Sequence, residues 1–196
     1  RLKPVNSRPL KHQIRQILNA QGFSEVITYT LIKSQALEKT NLSSLKRIRL
    51  INPVTQEQEI LRPDMLPSLL GAALANINRG QKNIRVYELG KKYLPEGEKE
   101  CLAMLATGLR SSDWRKFSRD KVDFFEIKGP ATILMDRLRI KNVSFQPASE
   151  PDIYEPGQAA LIASGQTVLG HSGRIKTEIL KQWDIKFETI YYLHLN

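Results

Sequence analysis

The stretch from Ile48 to Gly90 restricts the possible folds more than any other, because its hydrophobic spacing changes from strand to helix and back again. A first strand ends in Asn52-Pro53, and Leu61-Arg62-Pro63-Asp64 forms a crossing segment. Leu66, Leu69, Leu70, Ala73, Leu74 and Ile77 then recur at i, i+3, i+4 and i+7, which places one apolar stripe of a helix against a core. Pro67 suits the first turn of that helix, where a missing N–H costs little, and Gly80 falls just past its end. A second strand closes in Glu88-Leu89-Gly90.

Around this centre the chain alternates helices and strands. Residues 8 to 21 read as a helix with Pro9 in its opening turn, Leu10, Ile14, Ile17 and Leu18 on one face, and Gly22 as the left-handed terminator. A strand from Glu25 to Ile32 follows, then a polar stretch from Lys33 to Ser44 and a strand from Arg47 to Leu50. The strand Ile84 to Leu94 turns at Pro95-Glu96-Gly97-Glu98 into an almost wholly apolar return strand, Cys101 to Thr107, expected at the centre of a sheet. After a charged loop in which Trp114 is expected to anchor local packing, Asp123 to Gly129 leads into a helix that runs through about Leu138. Gly129-Pro130 is placed at the start of that helix, and an extended Phe124-Phe125 would point its rings to opposite faces. Val143 to Gln146 is a short strand, and Ala159 to Ala163 and Val168 to Ser172 form a hairpin around Ser164-Gly165-Gln166. Gly170 to Arg174 is expected to open a helix carrying Ile175, Ile179 and Trp183 on one face, and Glu188 to Leu195 is a last strand. Strands joined by short loops pair antiparallel. The fold class expected is α/β (α+β), a mainly antiparallel sheet flanked by helices, for which the hairpins at 84 to 107 and 158 to 172 support the antiparallel pairing alone, as one domain over 1–196 with a possible subdomain boundary near 120.

Composition narrows the function classes. The longest apolar runs fall short of the eighteen residues a membrane helix needs, so no membrane partner and a cytoplasmic location are expected. Cys101 is the one cysteine, which excludes an internal disulfide and a multi-cysteine zinc site, and it reads as a small buried hydrophobe. His12, His171 and His194 lack metal-ligand spacing. Net charge is +10, and the first fifty residues hold ten basic against two acidic side chains. Such an arm either contacts RNA, through Arg8, Lys11 and Arg15 among others, or is a solvated face beside an acidic neighbour.

Several segments in order carry a resemblance: Asn52-Pro53, Leu61-Arg62-Pro63-Asp64-Met65-Leu66-Pro67, Asn76 with Arg79, Val86-Tyr87-Glu88-Leu89-Gly90, and Val122 to Gly129. Together they resemble the core of class II aminoacyl-tRNA synthetases, and within that group the beta chains of phenylalanyl-tRNA synthetases. The resemblance covers nearly all of the chain and implies a piece of a longer protein. Gly22 to Thr28 matches the first class II motif, with Tyr29 where a proline is usual, and implies either a subunit interface or an ordinary core helix. Tyr93-Leu94-Pro95-Glu96 lies over the Phe-Arg-x-Glu of the second motif, so that Leu94 replaces the arginine expected to grip the alpha-phosphate of ATP. Tyr154 to Ala160 is similar to a His-Pro-Gly-Arg-x-Ala segment, with Glu155 and Gln158 in place of the histidine and arginine.

The resemblance therefore implies a non-catalytic module without catalytic, cofactor-binding or metal-ligating residues. Its partner would be the alpha subunit, with tRNA in the parent complex, and ATP and magnesium would belong to the parent enzyme. Arg62, Asn76, Arg79, Phe124, Phe125 and Lys128 are the interface candidates, with Arg62, Asn76 and Arg79 expected to be exposed. Alternatives are a stand-alone ATP-dependent ligase whose motifs have drifted and a basic RNA-binding module.

Overall fold

The computed structural model describes residues 8–53, 55, 58–111, 119–186 and 188–196. The elements run α1 (Arg8–Ala20), β1 (Ser24–Glu25), β2 (Leu31–Ile32), α2 (Ser34–Glu38), β3 (Ile48–Arg49), β4 (Ile60–Leu61), α3 (Leu66–Asn78), β5 (Ile84–Leu94) and β6 (Gly97–Thr107). They continue with α4 (Phe125–Arg137), β7 (Val143–Pro147), β8 (Tyr154–Ser164), β9 (Thr167–Ile175), α5 (Thr177–Gln182) and β10 (Ile190–Leu195). Among the described residues, seven strands form the main sheet in the order β1-β5-β6-β10-β9-β8-β7, and β2-β4-β3 form a small one. All neighbours pair antiparallel except β1, which runs parallel to β5.

The β5–β6 hairpin supports both cores. It pairs without a break from Ile84↔Thr107 to Leu94↔Gly97, and successive side chains go to opposite faces. Val86, Ala103, Leu105 and Tyr192 meet Leu66, Leu69, Leu70 and Ala73 of α3 on one face. Tyr87, Leu102, Met104 and Leu193 meet α1 and α4 on the other, through residues such as Leu18, Ile127 and Leu134. Covering both faces explains why Cys101 to Thr107 is buried throughout. Burial also pushes the Cys101 thiol up to about 11, the behaviour of an inert core side chain. Strands from both sides of residue 120 share the main sheet, with β10 between β6 and β9.

Five local expectations need correction. The strand expected over 25 to 32 is divided, because the chain leaves the edge of the main sheet after Glu25 and reaches the small sheet at Leu31. The polar stretch contains α2, whose Leu37 is buried and whose first N–H, at Ser34, donates to the Glu59 carboxylate (2.6 Å). α4 begins at Phe125, where the Asp123 carboxylate accepts the backbone N–H (2.8 Å), so Gly129 and Pro130 lie inside the helix and Phe124-Phe125 is not extended. Gly170 to Arg174 belongs to β9 and opens no helix. Leu10, expected on the apolar face of α1, is 47% exposed, whereas Ile14 and Leu18 are buried. Trp114 lies outside the described residues.

Gly170 is required by close strand packing. A Cβ at this position would overlap the backbone carbonyl of His194 and come within 3.0 Å of the Leu195 Cα, both main-chain atoms that cannot yield. A Cβ on Gly129, in α4, would meet nothing within 4 Å. Gly170→Ala is expected to destabilise the protein by about 1–3 kcal/mol and Gly129→Ala to stabilise it by about 1 kcal/mol, as read from urea unfolding midpoints.

Candidate functional site

Arg62 is the centre of a buried polar knot, contrary to the exposed position expected for it. Its side chain is 2% exposed. Nε donates to the Lys91 carbonyl (3.0 Å), one terminal nitrogen donates to the Thr28 hydroxyl (2.7 Å), and the other donates to Glu88 Oε1 (2.8 Å). The Thr28 hydroxyl in turn donates a hydrogen bond to Glu88 Oε2 (2.6 Å), and the Arg62 backbone N–H donates to the Thr30 carbonyl (2.9 Å). Gly90 leaves room for this, since a Cβ there would lie 2.5 Å from the guanidinium.

The knot also decides what the outer edge of the sheet presents. With Thr28 turned inward onto Glu88, its neighbours in an extended chain turn outward. Ile27 and Tyr29 are accordingly 90% and 78% exposed, beside β1, which is the edge strand. They flank a groove of about 800 Å³ between this segment and the outer face of α3, lined also by Ala72, Ala75, Arg79 and Trp183. In its wall, Ser68 Oγ and Trp183 Nε1 are buried without a hydrogen-bond partner among the described residues. Arg79 lies in this groove as an exposed side chain. Asn76 is half-buried rather than exposed and donates to the Ala72 carbonyl of its own helix (2.8 Å).

Phe124, Phe125 and Lys128 sit elsewhere, at the start of α4. Phe125 is 65% exposed, Phe124 packs edge-to-face on Phe145 (6.5 Å), and the Lys128 ammonium rests over Phe145 (5.0 Å from the ring centre). Phe124 and Lys128, but not Phe125, border a separate hollow of about 340 Å³ with Tyr191 and Gln158. Glu155 holds α5 by accepting the Thr177 backbone N–H (2.8 Å) and hydroxyl (2.7 Å), bonds that keep its carboxyl below the usual range. Of the basic arm, Lys11 is paired with Glu100 (2.5 Å) and Arg15 with Glu25 (2.8 Å). The Arg8 side chain lies outside the described residues.

A third cavity, of about 410 Å³, opens over the other end of β5, with Leu94, Lys92, Asp64, His171 and His194 among its lining. Leu94 projects here no cation. The two histidines face each other across β9 and β10 with rings stacked 5.4 Å apart, a meeting set by register that residue spacing along the chain could not reveal. Strand alternation in a correctly placed β9 shows only which face of the sheet His171 lies on. Burial, then His194 and Lys92, lower His171 from 6.5 to about 4.

The family description "Phenylalanyl tRNA synthetase beta chain CLM domain" matches residues 3–196. The phenylalanine–tRNA ligase beta subunit of Geobacter metallireducens is 32% identical over 99% of this chain and 25% of its own length. That of Moorella thermoacetica is 33% identical over 85% of this chain and 22% of its own length. The chain thus spans about a quarter of the curated relatives it matches. Among solved structures, the pyrrolysyl-tRNA synthetase PylSc of Desulfitobacterium hafniense superposes with a TM-score of 0.72 at 20% identity, over 95% of this chain and 64% of that one, which shows a shared fold.

Two outcomes follow from these geometries. Arg62→Met strands the Glu88 carboxylate in the interior and should cost about 3–5 kcal/mol, with much of the loss recovered in Arg62→Met/Glu88→Gln; equilibrium urea unfolding measures both. His171 is neutral in the folded state below its ordinary range, so between about pH 6.5 and about pH 4 the unfolded chain binds the extra proton. Stability therefore falls as pH is lowered through that window, and His171→Phe should flatten that part of the unfolding midpoint measured against pH.

Proposed function

We propose, since the chain belongs to the phenylalanyl-tRNA synthetase beta chain family, that it is a catalytic-like module without catalysis of its own which docks the synthetase alpha subunit. The observation that carries this reading is the groove beside β1, where Ile27 and Tyr29 stand almost fully in solvent on a sheet edge. An apolar pair held outward by a buried knot, next to a concave apolar helix face, is the pattern of a surface completed by a partner. The parent enzyme would join phenylalanine to its tRNA at the expense of ATP, with magnesium, in a site on the alpha subunit.

The absence of chemistry in this chain rests on Leu94. An aliphatic side chain can neither neutralise a phosphate nor donate a hydrogen bond to it. Loss of a charged group of that kind lowers rate by about two to three orders of magnitude. Lys92, two residues earlier and on the same face of β5, does not substitute for it, because two of its three N–H groups serve His194 (3.2 Å) and Asn196 (2.5 Å), and the single one left cannot reproduce the bidentate fork of an arginine on a phosphate. The RNA-binding alternative is weakened by the ion pairs of Lys11 and Arg15, which divert two of its three named cations. The drifted-ligase alternative meets the same Leu94.

Light scattering on the protein mixed with a matching alpha subunit tests the assembly reading. A defined mixed complex is expected, and Ile27→Glu/Tyr29→Glu should abolish it while leaving the melting temperature of the separate protein within a few degrees. Absence of any complex from folded protein would overturn docking, and a complex indifferent to the double variant would move the interface away from the groove. ATP–pyrophosphate exchange by this chain alone would overturn the claim that it lacks catalysis.

A further inference from the structure

The cavity at the far end of β5 has a floor of polar side chains that docking at the groove does not use. Their hydrogen-bond directions are fixed by chemistry. Lys92 has only protons to give, so the His194 Nε2 that it contacts (3.2 Å) is the accepting nitrogen. His194 Nδ1 then carries the ring proton and donates to the Tyr192 hydroxyl (3.2 Å), which in turn donates to Asp64 Oδ1 (3.3 Å). Asp64 also accepts the Leu66 backbone N–H (2.8 Å). On the other side, the buried Tyr154 hydroxyl lies 2.6 Å from His171 Nδ1 and must place its proton on an acceptor. That makes Nδ1 the acceptor and leaves the proton of His171 on Nε2, the nitrogen remaining for the cavity.

Two residues of the lining thus have an N–H left to give. One is the His171 Nε2–H, and the other is the third N–H of Lys92, whose remaining two serve His194 and Asn196. The walls are apolar, with Leu42, Leu45, Leu94, Ile153 and Leu161. Asp64 in the floor and Glu150 at the rim set an upper limit on the charge a guest can bring, since a multiply charged anion would face two carboxylates against one ammonium. The volume of about 410 Å³ lies within the range usual for small-molecule sites, about 300–1,000 Å³. We infer that this cavity binds a small monocarboxylate with an apolar body, its carboxylate received by Lys92 and the His171 Nε2–H and its hydrocarbon part by the leucine and isoleucine walls.

The inference stands apart from the docking of an alpha subunit, because the two surfaces share no lining residue. Its test uses hexanoate and hexan-1-ol as probes, with the imidazole nitrogens followed by ¹⁵N NMR at neutral pH. The free protein should show His171 with its proton on Nε2. Hexanoate should shift that Nε2 resonance in a saturable way, whereas hexan-1-ol, equally apolar and uncharged, should not reproduce the shift. Lys92→Met should weaken hexanoate by about tenfold or more through loss of a charge-assisted bond. Val168, 53% exposed in the cavity wall, gives an independent variant: Val168→Trp should obstruct the site without touching the polar floor. No hexanoate shift, an equal shift with hexan-1-ol, or binding undiminished in Val168→Trp would each overturn the assignment.

Discussion

The buried pair of Arg62 and Glu88 is the constraint on which the outer half of the structure depends. Two charges removed from water are tolerable only when their remaining hydrogen-bonding capacity is met. Here it is met by the Lys91 carbonyl, the Thr28 hydroxyl and the Thr28 N–H, contributed by β5 and the segment after β1. The backbone of Arg62 adds bonds to Thr30 and from Tyr93 N (2.9 Å each). One side chain therefore ties together the crossing segment, the sheet edge and the long hairpin. Outward exposure of Ile27 and Tyr29 follows from the same tie, because Thr28 between them is drawn inward. The polar interior and the apolar surface have a single cause.

Local periodicity made α3, β5, β6 and the β8–β9 hairpin legible in the sequence, since each carries its signal in adjacent residues. The mainly antiparallel sheet followed from short connections and holds in the structure. What escaped was information shared between distant segments. Arg62 looked like a surface residue because its partners come from 34 residues before and 26 residues after it. Gly170 to Arg174 looked like a turn before a helix because glycine normally signals a break, whereas here it admits the neighbouring strand. Pro130 looked like a helix start, but Asp123 begins the helix earlier and the proline forgoes one bond within it.

The interface candidates show the same limit. The six residues separate in the structure into a buried knot at Arg62, a groove at Arg79, a helix-internal bond at Asn76, an aromatic hollow at Phe124 and Lys128, and an exposed ring at Phe125. Ile27 and Tyr29 lie in the segment whose resemblance implies an interface, yet neither is among the six candidates, because the whole segment reads as one strand and alternation along an uninterrupted strand would bury one face of it. The break between β1 and β2 removes that cover.

The character of the cleft at the far end of β5 adds an argument about chemistry that is independent of Leu94. Its one ammonium, Lys92, faces Asp64 in the floor and Glu150 at the rim, and its two imidazoles are held neutral by burial at physiological pH. Converting those rings to cations would require acid below their ordinary range, about pH 4 in the case of His171. Such a cleft offers a guest at most one uncompensated positive group. A triphosphate, with several negative charges to neutralise, is electrostatically disfavoured there, whereas a single carboxylate attached to hydrocarbon matches both the donors and the walls. An arginine at position 94 would thus add one charge to a surface whose Asp64, Glu150 and neutral imidazoles still oppose a polyanion.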